Sequence, residues 1–264
     1  MIQPVAIFGV PRSGTSWLGQ LFNSSPNVAY RYQPLFSYAF KNRITADSSI
    51  DDIRKFHEDL LPTSDEFVLQ KKNVSGNAGL EFSKSEITHL VWKEVRYLNL
   101  IEHLLLNSDI KIIGIIRNPF AVIHSWARAP KEFNAGWDLM TEWKDAALKN
   151  QNKPEEFYGL TKWIEARNLF LELGRKFPGR FAIVNYEQLV ENPAREMKRL
   201  FAMVGLEFTD QTEKFIAEST SRSSDDPYGV HRLQADVLSW KKEMHPELIA
   251  AIDAELKRCE IEID

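Results

Sequence analysis

The sequence predicts an α/β fold with a mostly parallel sheet. Short apolar runs of strand length recur at 4–10, 28–32, 90–92, 110–116 and 181–184. Helical patterns lie between most of them, the order that builds parallel sheets. The runs at 4–10 and 110–116 carry almost no alternation of polar with apolar residues, as in strands covered on both faces. A length of 264 residues suits one large domain or two small ones, and no repeat, low-complexity tract or linker divides it.

The elements follow in order. After the strand at 4–10, a turn over 11–14 leads to a helix at 15–22 that ends near Asn23 and Pro26. A second strand is expected at 28–32. Residues 41–88 are mixed and polar, with a helix at 51–60 and a loop at 71–79, and they read as a cap-like insertion. A brief strand at 90–92 precedes an amphipathic helix at 97–106. The strand at 110–116 is followed by Pro119 at the favoured first position of a helix. Residues 130–155 carry helical pieces broken by Pro130, Gly136 and Pro154. In the next helix Trp163, Ala166, Phe170 and Leu173 share one face, and Pro178-Gly179 stops it. A last strand at 181–184 leads to helices near 193–204, 210–219 and 232–257.

Composition narrows the function. With 33 Lys+Arg against 37 Asp+Glu the net charge is -4, which argues against a protein that coats nucleic acid and leaves room for a local basic pocket. Hydrophobic residues at 44% and charged residues at 27% exclude wholesale disorder. No run approaches the ~20 apolar residues of a membrane span. The apolar stretch 5–10 is too short for a signal-peptide core and no basic region precedes it. Cys259 is the single cysteine, so neither an intrachain disulfide nor a Cys-rich metal site is expected. A reducing, cytoplasmic setting without membrane or nucleic-acid partners is the expectation; oligomeric state has no signature.

Gly9-Val10-Pro11-Arg12-Ser13-Gly14-Thr15-Ser16 lies between a strand and a helix, the context of a phosphate-binding loop. Gly9 and Gly14 have the four-residue gap of a Walker A loop. Successive backbone N–H groups and a helix N-terminus there surround an anion. The Walker lysine is missing: Thr15 stands in its place, and the basic group has moved to Arg12. A tight turn with an incidental arginine is the bland alternative. Magnesium-dependent nucleotide enzymes also place an Asp at the end of a core strand. Here the strand at 110–116 ends in Arg117, which favours a fixed phosphate and disfavours a metal. Ser125 lies eight residues on, about two turns into the helix that Pro119 starts. Arg117 and Ser125 can therefore meet one phosphate, with a fork of donors and a hydroxyl.

These segments resemble the sulfotransferase superfamily, which uses 3′-phosphoadenosine 5′-phosphosulfate (PAPS). Residues 11–18 are similar to its 5′-phosphosulfate loop, and 115–119 through Ser125 to its 3′-phosphate motif. Tyr186-Glu187-Gln188-Leu189, followed by Asn192-Pro193, resembles the segment whose Tyr lies near the adenine. The resemblance implies a P-loop-like three-layer fold, a central mostly parallel sheet flanked by helices, over a single domain 1–264. It implies that Arg12, Ser13, Gly14, Thr15, Ser16 and Trp17 bind the 5′ side, Arg117 and Ser125 the 3′-phosphate, and Tyr186 the base. A late loop with His231 and Arg232 is the candidate for closing over the nucleotide; a solvated loop is the alternative. PAPS is the expected donor, 3′,5′-adenosine bisphosphate (PAP) the product, and no metal is expected. The acceptor is a hydroxyl, or an amine, of a small molecule or carbohydrate.

The general base is the open question. Carbohydrate-type members often carry Glu before Pro after the second strand, whereas this chain has Gln33-Pro34-Leu35. Gln33 cannot usefully take a proton, although it can hydrogen-bond a hydroxyl. The cytosolic type has a His shortly after a Lys, and Trp92-Lys93-Glu94-Val95-Arg96 has the Lys alone. Glu94 is the substitute base, beside a Lys93 that can touch the bridging oxygen, while Arg12 stabilises the leaving phosphate. A salt bridge from Glu94 to Arg96 or Arg31 is the structural alternative. His57, His124 and His231 are further candidates. Trp126, Trp137, Trp143 and Tyr158 are core or an acceptor platform. Two rivals stand beside a sulfotransferase: a PAPS-binding protein that lost catalysis at Gln33, and a small-molecule kinase using ATP and magnesium.

Overall fold

The run Gln-Pro-Val-Ala-Ile-Phe forms β1 (Gln3–Phe8), the middle strand of the sheet. The structure, a computed structural model, describes residues 2–71, 81–221 and 237–263. β2 (Val28–Tyr32), β3 (His89–Glu94), β4 (Lys111–Ile116) and β5 (Phe181–Asn185) complete a five-stranded sheet of order β2-β3-β1-β4-β5. Every pair is parallel, with Ile7 opposite Lys93 and Ile113, and Tyr32 opposite Lys93.

The helices are α1 (Thr15–Asn23), α2 (Ile50–Leu60), α3 (Ile101–Asn107), α4 (Pro119–Ala127), the single turns α5 (Leu139–Glu142) and α6 (Ala147–Asn150), α7 (Gly159–Lys176), α8 (Tyr186–Glu191), α9 (Pro193–Val204), α10 (Asp210–Thr220), α11 (Trp240–Glu243) and α12 (Pro246–Arg258). They cover both faces of the sheet. Because strand side chains alternate, Val5 and Ile7 pack with Leu18 and Phe22 of α1 and Leu200 of α9. Ala6 and Phe8 pack on the opposite face with Phe56 of α2, Leu104 of α3, Phe170 of α7 and Ile252 of α12. Each such buried Leu, Ile or Phe contributes ~1.5–3 kcal/mol. The three-layer α/β arrangement expected from the sequence is the one found.

The differences are local. The amphipathic segment after β3 opens as a 3-10 turn (Leu98–Leu100) before α3 begins. Short α8 is additional to the elements read from the sequence, and its signals are the Asn185 side chain accepting the Gln188 N–H at 2.9 Å and Pro193 just beyond it. The helix expected over 232–257 is broken where it is described. His245 is extended, as a residue before proline prefers, and Pro246 starts α12 afresh. In the 41–88 segment, α2 lays Ile53, Phe56 and Leu60 against the sheet face that carries Trp92. The loop expected at 71–79 lies almost wholly outside the described residues, as does the late loop with His231 and Arg232.

This topology positions the site. The chain leaves β1 toward β2 and β3 on one side, then crosses to β4 and β5 on the other. The carboxyl ends of β1 and its neighbours therefore frame the crevice at which open parallel sheets bind ligands. Arg12, Gln33, Lys93, Arg117 and Tyr186 all follow or end those strands.

Candidate functional site

Gly9 opens the loop after β1 because a side chain has no room there: a Cβ would stand 2.4 Å from Ser13 Oγ and 2.6 Å from Ile115 Cγ2. Gly14 closes it with φ of 97°, and its Cβ would meet the Tyr186 ring at 2.4 Å. Between them Arg12 takes a left-handed φ of 71°, a conformation that costs a non-glycine residue ~1–3 kcal/mol. Gly14 gives α1 no side-chain cap, whereas asparagines cap α4, α8 and α9. The first N–H groups of α1, at Thr15, Ser16 and Trp17, thus face the crevice without a side-chain acceptor. The Ser13 hydroxyl is buried and has no hydrogen-bond partner among the described residues.

Arg117, at the end of β4, reaches back to this loop. Its Nη1 donates to the Arg12 carbonyl at 3.0 Å, and its guanidinium lies 4.5 Å from the centre of the Tyr186 ring. Arg12 Nε donates to Ser125 Oγ on α4 at 3.1 Å. The four residues therefore meet, with Tyr186 as a buried floor beneath Gly14 and Arg117 and edge-on to Trp17 at 6.3 Å. Three supports were not read from the sequence as such. Glu187 Oε1 accepts the Asn118 N–H at 3.0 Å, Trp163 Nε1 donates to the Arg117 carbonyl at 2.9 Å, and Trp17 Nε1 donates to Ser219 Oγ at 3.1 Å. Each joins segments distant in sequence, and no periodicity announces such contacts.

The other side of the crevice is formed by the ends of β2 and β3. Lys93 and Glu94 are neighbours on a strand and so point to opposite faces. Lys93 Nζ lies 3.5 Å from Thr15 Oγ1 and 4.2 Å from the centre of the Tyr32 ring, and burial pulls its pKa down to about 7. Burial likewise pushes Tyr32 up to about 12. Glu94 Oε1 accepts the Leu35 N–H at 2.7 Å, its Oε2 has no partner, and burial pushes its pKa up to about 8. Glu94 thus holds the 3-10 turn Pro34–Phe36, at whose entrance Gln33 takes a left-handed φ of 41°. The Gln33 N–H donates to the Lys93 carbonyl at 2.9 Å, and its Oε1 is buried without a partner.

The salt bridge expected from Glu94 is not formed. Arg96 pairs with Glu156 at 2.8 Å, and Arg31 donates to the carbonyls of Tyr30, Leu60 and Leu61. His57 is buried against Trp92 and Phe56, and His124, next to Ser125 on α4, pairs with Glu243 at 3.5 Å. Trp126 and Tyr158 are buried with Phe133 in a small cluster of their own, as core. One acidic residue at the site escaped the sequence reading. Glu132, in the loop after α4, brings Oε1 to 3.7 Å from Arg12 Nη1.

Comparison with known proteins gives the family. The family model described as "Sulfotransferase domain" matches residues 3–258. Carbohydrate sulfotransferase 3 of Mus musculus is 26% identical over 153 residues, which cover 55% of this chain and 32% of that protein. The match thus spans about a third of that relative's length. Carbohydrate sulfotransferase 1 of Danio rerio is 23% identical over 316 residues, covering 93% of this chain and 73% of that one. A crystal structure of the mouse sulfotransferase SULT7A1 complexed with PAP superposes with a TM-score of 0.58 at 16% identity, covering 99% of this chain and 86% of that one, and it shares the fold. With a family model that matches nearly its whole length, the chain belongs to the sulfotransferase domain family.

Proposed function

We propose that the chain is a PAPS-dependent sulfotransferase acting on a hydroxyl of a carbohydrate or small-molecule acceptor. The observation that carries this reading is the union of Arg12, Arg117 and Ser125 at an uncapped strand-loop-helix turn. Two phosphate-matched guanidinium groups and a hydroxyl suit a nucleotide with phosphates at both ends. The buried Ser13 hydroxyl without a partner and the uncapped amides of α1 are a donor set that an anion satisfies. PAP is the ligand of the structurally similar mouse sulfotransferase, and the named relatives act on carbohydrate.

When bound, PAPS supplies an activated sulfuryl group. Arg12 and the amides of residues 15–17 stabilise the charge that grows on the leaving phosphate, usually the largest contribution in such catalysis. Lys93, buried beside Thr15, donates to the bridging oxygen in its protonated form. Gln33 orients the acceptor hydroxyl, and Glu94 holds the turn that carries Gln33. Arg117 and Ser125 hold the 3′-phosphate, with Tyr186 under the nucleotide. The segment 41–88 acts as a cap on the acceptor side, a role supported by Phe67 packing against Tyr32 at 5.4 Å. The lone Cys259 supports a reducing, cytoplasmic setting. Among the described residues no helix is long and apolar enough to cross a membrane.

Incubation with sulfur-labelled PAPS and a panel of sugars, phenols and amines tests this directly. Label transfer with stoichiometric release of PAP is the expected outcome. PAP binding without transfer to any acceptor favours the nucleotide-binding rival, and transfer of phosphate from ATP with magnesium favours a kinase.

A further inference from the structure

Neither Gln33 nor Glu94 offers the acceptor a basic oxygen: the free Oε2 of Glu94 belongs to a carboxyl that burial pushes toward its protonated form. Gln33 is an amide, and Glu94 is turned onto the Leu35 N–H. We propose, resting on the sulfotransferase reading above, that Glu132 is the general base, taking the acceptor's proton on its Oε2. Three observations support it. Glu132 Oε1 stands 3.7 Å from Arg12 Nη1, so the carboxylate lies at the edge of the loop that would hold the sulfuryl donor. Its Oε2 is shielded from solvent and has no hydrogen-bond partner among the described residues. A carboxylate oxygen in that state lacks a donor hydrogen, and an acceptor hydroxyl supplies one. Its charge is also felt by Lys93 and Tyr32, on the neighbouring ends of β3 and β2, and by Tyr158 of the adjoining core cluster.

The backbone fixes that position. The Glu132 N–H donates to the Ala129 carbonyl at 2.8 Å, and the Glu132 carbonyl accepts from Trp126 Nε1 at 3.3 Å. Both partners belong to or adjoin α4, the helix that carries Ser125, so Glu132 is anchored to an element of the donor site. In the step, the acceptor oxygen forms a bond to sulfur as the bond from sulfur to the bridging phosphate oxygen breaks. The leaving electron pair stays on PAP beside Lys93 and Arg12. The hydroxyl proton passes to Glu132 and afterwards to water.

The test compares wild type with Glu132→Gln and Glu132→Ala. Calorimetry reads PAP binding, and PAP release from PAPS is followed with N-acetylglucosamine, p-nitrophenol, or water alone as acceptor. Both variants should bind PAP no more weakly than wild type, since a negative charge beside an anion site has been removed. Turnover should fall ~10²–10⁴-fold. Formate should restore part of it in Glu132→Ala, where it fits the vacated space, and not in Glu132→Gln. Retention of turnover in Glu132→Gln overturns the assignment. So does loss of PAP binding in step with activity, which would make Glu132 a support for Arg12. A wild type that binds no PAP removes the reading on which the proposal rests. One that binds PAP and releases none from PAPS leaves the nucleotide site intact and still overturns the base.

Discussion

Lys93 and Glu94 show how adjacent residues acquire different work from the pleat of one strand. Both are buried, and burial drives both toward their neutral forms, Lys93 down to about 7 and Glu94 up to about 8. Glu94 is then protonated at neutral pH while bonded to the Leu35 N–H. Glu94→Gln should therefore keep turnover and fold stability close to wild type. Glu94→Ala should cost ~1–3 kcal/mol in chemical denaturation, because a buried N–H loses its acceptor. A large loss of kcat in Glu94→Gln with PAP binding intact would return the base to Glu94. Lys93 gives a second prediction. At pH 8 the free protein holds it mostly unprotonated, and an anion bound beside it raises its pKa. PAP binding at that pH should take up close to one proton, read as a buffer-dependent calorimetric enthalpy, and Lys93→Met should abolish the uptake. At this scale the spacing of Gly9, Gly14, Arg117 and Ser125 was legible because the backbone dictates it. The contact of Glu132 with Arg12 was not, since it joins two loops that share no pattern.

Among the elements, β2 matches its expected bounds and Pro119 starts α4 as expected, because alternation and proline act locally. The helix expected over 232–257 fails at Pro246, where a missing N–H and a ring clash outweigh the apolar periodicity. Helix α2 carries a pH response. Its His57 is buried against Trp92 and Phe56, Nε2 has no partner, and burial pulls its pKa down to about 4. The unfolded chain protonates this residue near pH 6.5. Between about 6.5 and 4 the unfolded state therefore binds more protons, and the His57 contribution to stability is lost as pH falls through that window. Glu94 acts in the opposite sense, since its folded carboxyl keeps a proton up to about 8 and its contribution is lost as pH rises from about 4.5. The informative quantity is thus the difference between wild type and His57→Phe. Denaturation midpoints of the variant should decline less between pH 6.5 and 4.5, and parallel declines would show that His57 does not carry the acid response.

The whole molecule explains why residues from five strands meet. A parallel sheet in which the middle strand comes first brings the carboxyl ends of its neighbours to one edge. Alternation of strands and helices made that architecture legible, but strand order depends on packing that sequence patterns do not encode. The same edge gathers Arg12 and Arg117, and it leaves the amides of α1 uncapped in a chain of net charge -4. A local anion site in an acidic protein is the central claim. Its most direct measurement is calorimetric titration with PAP, ADP and ATP, each with and without magnesium, alongside thermal denaturation. PAP should bind most tightly and be indifferent to magnesium, and at ~100 times its dissociation constant it should add roughly 2.7 kcal/mol of stability. Tight binding of ATP only when magnesium is present, with PAP inert, would contradict the assignment of Arg12, Arg117 and Ser125.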